Sequence, residues 1–98
     1  MYGLPKKSHE VLLDLFNTIP PSPSQIRLIA NSANQAGDYA DSYSYMAEYY
    51  LSIGDFEEAR EQLKIALTFT SLSKIQTAKF TARLNEVEEY IDEIKRQK

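Results

Sequence analysis

The sequence predicts an all-α chain of about five antiparallel helices, the last of them long. Three observations carry this. Apolar residues make up 43% of the 98 positions while glycine occurs 3 times, a balance that suits packed helices and not disorder or a Gly-rich all-β fold. Apolar side chains recur at helical spacing in successive stretches separated by short breaks. The tripeptide Gly37-Asp38-Tyr39 returns as Gly54-Asp55-Phe56. In each, the Gly can turn the chain out of a helix and the Asp can cap the next one.

The first helix is expected over Ser8 to Asn17, with Val11, Leu12, Leu15, Phe16 and Ile19 at helical spacing. Pro20, Pro21 and Pro23 stop it. Ser22 starts a second helix, because Pro23 suits the first helical position and Gln25 can close a capping box. That helix carries Ile26, Ile29, Ala30 and Ala33 and ends near Gly37. A third, capped by Asp38, places Tyr43, Met46, Ala47 and Tyr50 on one face and ends at Gly54. Asp55 caps a fourth, with Glu58 completing a box and Ala59, Leu63, Ala66 and Leu67 as its buried stripe. Ser71 to Ser73 form the next break. Ser73 and Gln76 fit another capping box, and the last helix runs to the C-terminal end. Its apolar positions Phe80, Leu84, Val87, Ile91 and Ile94 step by four and three, a heptad-like seam.

Composition also excludes functions. The net charge of -3 argues against a generally basic nucleic-acid binder. With no cysteine, disulfides, thiol catalysis and thiolate metal sites are out of reach. No apolar run approaches the roughly 18 residues of a membrane helix, and Met1 to Ser8 lacks a signal-peptide core. His9-Glu10 begins like a zinc-protease HExxH motif, but Leu13 stands where the second His belongs, and His9 is the single histidine. The chain is therefore not expected to be an enzyme by itself, nor to hold a cofactor.

The Gly-Asp-aromatic recurrence has a spacing of 17 residues, half the period of about 34 residues of a tetratricopeptide repeat. Tyr43 stands at that repeat's first aromatic, Met46-Ala47 at its Leu-Gly, and Tyr50 at its tyrosine. Gly54 and Phe56 form the turn, and Ala59, Leu63 and Ala66 follow on the second helix; Ser71 replaces the usual proline. Ala47 and Ala59 are small because two helices would cross closely there. The expected fold is thus all-α, built of antiparallel hairpins of tetratricopeptide type in one domain over 1–98. Residues 40–73 are the best repeat, 8–36 a degenerate preceding repeat and 73–96 a capping helix.

A narrower likeness is carried by Ala47-Glu48-Tyr49-Tyr50-Leu51, Gly54-Asp55-Phe56, Ala59, Gln62-Leu63, Ala66-Leu67 and Thr81-Ala82-Arg83-Leu84. Over roughly residues 23 to 94 the chain resembles the C-terminal repeat region of BepA/YfgC-type metalloproteases. The resemblance implies a piece of a larger periplasmic protein, with zinc held in a separate protease domain. It implies that the repeat domain binds outer-membrane β-barrel proteins or their assembly machinery.

In a repeat of this type the first helix of each pair lines a concave groove. The candidate partner-binding residues are Asp41, Ser44, Tyr45, Glu48 and Ser52, which flank the buried stripe. Tyr45 and Glu48 are off that stripe, so changes there are expected to spare stability. Tyr49, four residues from Tyr45, is expected to pack on the preceding helix. Two other functions compete. A stand-alone adaptor or co-chaperone that grips a C-terminal carboxylate needs cations on the inner face, and Asp41 and Glu48 put negative charge there. A self-association module would pair the Phe80 to Ile94 seam with a second copy.

Overall fold

The computed structural model describes residues 21–97. They form an all-α chain with helices α1 (Pro23–Gln35), α2 (Tyr39–Ser52), α3 (Phe56–Ala66) and α4 (Lys74–Arg96). The helix expected over 8–17, and His9 with it, lie outside the described residues. Of the expected preceding repeat only α1 is therefore described.

The helix starts follow local chemistry. At α1, Gln25 N donates to Ser22 Oγ and Ser22 N donates to Gln25 Oε1 at 2.8 Å, with Pro23 in the first turn. At α4, Ser73 and Gln76 repeat this reciprocal pair at 3.0 and 2.9 Å. Each box satisfies two donors that a helix end would otherwise leave open. Asp55 Oδ1 accepts from Glu58 N at 3.2 Å, but the Glu58 side chain takes Gln62 Nε2 one turn on instead of closing a box. Asp38 stands at the N-cap of α2, and its side chain makes no cap bond.

Both three-residue turns reverse the chain in the same way. Gly37 and Gly54 each have φ of 84°. The following Asp38 N donates to Ala33 O at 2.9 Å and Asp55 N to Tyr50 O at 2.8 Å. Such a bond across a left-handed residue closes a helix by satisfying one of its last carbonyls.

Consecutive helices pack on one another, α1 on α2, α2 on α3 and α3 on α4. Their directions alternate: Tyr43, early in α2, lies 6.0 Å from the Phe69 ring just after α3, and Phe56, which opens α3, lies 6.1 Å from the Tyr90 ring late in α4. One apolar cluster joins α2, α3 and α4 through Ala40, Ala47, Ala59, Leu63, Ala66, Phe80, Val87 and Ile91. Ala47, Ala59, Leu63 and Ala66 are wholly enclosed. Small residues on facing helices let the backbones approach, and Leu63 fills the space beside them. Tyr43, Tyr50, Phe56 and Leu84 pack around this cluster half-buried. The α1 residues Ile26, Ile29, Ala30 and Ala33 are buried too, but stand apart from it.

Besides the unbonded Asp38 cap and the open Asp55–Glu58 box, three further expectations are revised. First, α3 stops at Ala66, so the break spans 67–73 and is longer than Ser71 to Ser73. Thr68 Oγ1 donates back to Ile65 O at 2.6 Å, and Phe69 leaves the helix line to meet Tyr43; local side-chain bonds of this kind compete with helix continuation. Second, Met46 is not in the α2–α3–α4 cluster; with Ala30 and Ser42 it lines a cleft toward α1. Third, most of the α4 seam is used inside the chain. Phe80, Val87 and Ile91 are buried and Leu84 packs with them, which leaves Ile94 37% exposed.

Candidate functional site

The five groove candidates all lie on α2, and the α4 side chains beside them decide what they can do. Two polar bridges join the helices. Gln76 Nε2 donates to Asp41 Oδ1 at 3.2 Å. Arg83 Nε and Nη2 donate to Glu48 Oε2 and Oε1 at 2.7 and 2.8 Å, a bidentate ion pair. Both bridges have a sequence offset of 35 residues. Asp41 and Glu48 lie two helical turns apart, as do Gln76 and Arg83, so the bridges are two rungs of one ladder.

Gln76 serves twice. Its Oε1 closes the α4 capping box while its Nε2 reaches Asp41. The start of α4 is thereby tied to the first turn of α2. Arg83 is also shared, with Nη1 3.5 Å from Glu86 Oε2. The bond to Glu48, chiefly, pushes the Arg83 guanidinium further above its ordinary pKa; burial works against this, and the charges of Glu48 and Glu86 add to it. Arg83 is therefore a fixed cation already matched by two carboxylates.

Tyr45 is half-buried. Burial first, then the charges of Asp41 and Asp38, push its hydroxyl up to about 12 from 10.0. It stays a neutral phenol, able to donate as well as accept, at any physiological pH. Ser52 is exposed and its hydroxyl donates to Tyr49 O within its own helix. Ser44 is half-buried. Tyr49 faces α1, with the Arg27 guanidinium carbon 5.5 Å from its ring centroid. That placement, expected from the sequence, takes Tyr49 out of the candidate face.

The structure thus divides the candidates: Asp41 and Glu48 bridge to α4, while Ser52 bonds within its own helix. The expectation that changing Glu48 spares stability is corrected: a side chain off the apolar stripe still bridges two helices. Sequence reasoning assigned Gln76 only a capping role and did not single out Arg83 as a partner of Glu48. The signal was available in the shared offset, with a carboxylate and a donor at each rung.

The repeat-signature residues sit around the α2–α3 crossing. Ala47, Ala59, Leu63 and Ala66 are at its centre, Tyr43, Tyr50 and Phe56 around it, and Gly54 at the turn. Among the described residues no group of three or more His, Cys, Asp or Glu could hold a metal ion. No described helix is long and apolar enough to cross a membrane. Comparison of the chain with protein-family models, curated proteins and solved structures found no match.

Proposed function

We propose that this chain is a protein-binding module of tetratricopeptide type, with the inward face of α2 and α4 as its partner surface. The observation that supports it best is the two-rung ladder. Polar residues on α2 meet polar residues on α4 at an offset of 35 residues, close to the repeat period of about 34. In such repeats the first helices of successive pairs stand side by side and line the groove. Tyr45 and Ser52 supply aromatic area and a hydroxyl on that face. By resemblance, the parent protein is a periplasmic zinc metalloprotease with chaperone-like duty, and the partner is an outer-membrane β-barrel protein or its assembly machinery.

The carboxylate-gripping co-chaperone reading is disfavoured. It needs several free cations on the inner face; Arg83 is matched by Glu48 and Glu86, which leaves Lys79, and Asp41 and Glu48 put negative charge on the facing helix. Pairing of the full α4 seam with a second copy is disfavoured because Phe80, Val87 and Ile91 are spent within the chain.

The test is photocrosslinking in cells from the full-length protein, with the probe at Tyr45 or Ser52 and a control probe at Lys64, an exposed position on α3. Capture of an outer-membrane assembly component from the first two positions and not from Lys64 is expected. Equal capture from all three would remove the groove from the account. Capture of an unrelated soluble protein from the groove would keep the module and reject the parent.

A further inference from the structure

The apolar face of α4 is not covered to its end. Tyr90 is 40% and Ile94 37% exposed, although Phe80, Val87 and Ile91 before them are buried. Phe56, the first residue of α3, packs against Tyr90 with ring centroids 6.1 Å apart. Two clefts meet here. One, of about 260 Å³, lies between the start of α3 and the end of α4 and is lined by Phe56, Glu57, Ile91, Ile94 and Lys95 among others. The other, of about 290 Å³, is lined by Phe56, Tyr90, Glu93, Ile94 and Gln97. Phe56 and Ile94 belong to both, so they form an apolar ridge with a hollow on each side.

The charges beside the ridge fit a second copy of the same surface. Glu57 stands on the α3 wall of the first cleft and Lys95 on its α4 wall. They are not joined to each other. Glu57 pairs with Arg60 at 3.8 Å within α3, and Lys95 makes no ion pair among the described residues. The patch thus has an apolar middle, an acid on one side and an unmatched cation on the other. A two-fold rotation makes such a surface complementary to itself. It lays each cation on the other copy's acid and each ridge in the other copy's hollow.

We infer that two copies of this chain pair through Phe56, Tyr90 and Ile94, with Lys95 of each copy set against Glu57 of the other. Both copies use the same patch, so the contact closes at a dimer. It involves the end of α4 and the start of α3, not the seam residues already spent within the chain. The inference does not rest on the groove reading. Three exposed apolar side chains make a patch well short of the roughly 800 Å² per partner of a standard interface. The dimer is therefore weak, half-formed at about 0.1–1 mM chain.

The test is sedimentation equilibrium of the whole chain over a concentration series reaching about 1 mM. The mean mass should rise toward that of a dimer and go no further. Ile94→Ser removes the ridge and should weaken the dimer about tenfold. Glu57→Lys and Lys95→Glu each set like charges together twice in the dimer, and each should weaken it about tenfold. An equimolar mixture of these two variants should form a mixed dimer about as tight as that of the unaltered chain, because every reversed charge then meets its opposite. An unchanged helical signal in each variant is the control for folding. A chain still monomeric at about 1 mM overturns the inference and leaves the patch to a different occupant. Growth past a dimer, a dimer indifferent to Ile94→Ser, or a mixture no tighter than either charge variant alone overturns it as well.

Discussion

The Glu48–Arg83 rung makes the sharpest claim about stability. The perturbation is a double-mutant cycle of Glu48→Ala, Arg83→Ala and both together. The side chains are 32% and 35% exposed, so the pair is neither fully solvated nor sealed in the core. Exposed pairs couple by about 0.2–1 kcal/mol, and a bidentate geometry with two charged hydrogen bonds belongs at the upper end. The expected coupling is about 1 kcal/mol, which for a domain of this size corresponds to about 4–8 °C in melting midpoint. Arg83→Ala alone should cost more than Glu48→Ala, because the Arg stem also covers surface and Glu86 loses its cation. Glu48→Lys should cost roughly 2 kcal/mol, as attraction is replaced by repulsion of similar size. Thermal melts followed by helical circular dichroism give each value. Repeating them in about 1 M salt should weaken the coupling only in part, because the contacts are within the roughly 3 Å screening length and partly buried pairs are screened less. A coupling below about 0.3 kcal/mol, the usual error of additivity, would refute the reasoning and leave α4 held by its apolar face alone.

Three further outcomes are expected. Ala47→Leu or Ala59→Leu should each destabilise by roughly 1–3 kcal/mol through overpacking, because both sites are wholly buried at the α2–α3 crossing; denaturant melts with unshifted midpoints would contradict the packing. Gly54→Ala should cost about 1–2 kcal/mol from backbone conformation alone, since φ is 84° and an added Cβ would meet nothing within 4 Å; a neutral result in the same melts would contradict the turn. The Tyr45 hydroxyl is pushed up to about 12 from 10.0, so the folded chain holds this proton more tightly than the unfolded one. Its contribution is complete below pH 10 and is lost as pH rises toward 12. The midpoint of the unaltered chain should therefore fall more steeply over that window than that of Tyr45→Phe, and parallel curves would count against the burial.

What the sequence revealed was whatever acts over a few residues. The boxes at Ser22–Gln25 and Ser73–Gln76, the two glycine turns and the crossing alanines were all legible, because a cap or a left-handed turn needs a specific residue at a specific offset. The burial of Phe80, Val87 and Ile91 followed from their spacing. The end of α3 was missed because nothing in Leu67-Thr68-Phe69 forbids a helix; the departure depends on Phe69 finding Tyr43 across the fold. The ladder was missed for the same reason. Asp41 and Glu48 read as groove residues open to a partner until Gln76 and Arg83 arrive from another helix. The candidate face was therefore half legible: its location came from periodicity, while the division between bridging residues and the rest needed the third dimension.

The segregation of the α1 apolar residues from the main cluster has a dynamic consequence. Between α1 and α2, the Ser42 hydroxyl donates to Ala30 O and Asp38 N to Ala33 O, each at 2.9 Å, and the Arg27 guanidinium lies over the Tyr49 ring; the buried α1 side chains are no larger than isoleucine. The other three helices share one cluster and the ladder. Opening should therefore be graded, with α1 able to part from the α2–α3–α4 cluster at lower free energy than global unfolding. Amide protons of Ile29 to Ala33 would then exchange with solvent sooner than those of Ala59 to Ala66, which become accessible only when the whole chain unfolds.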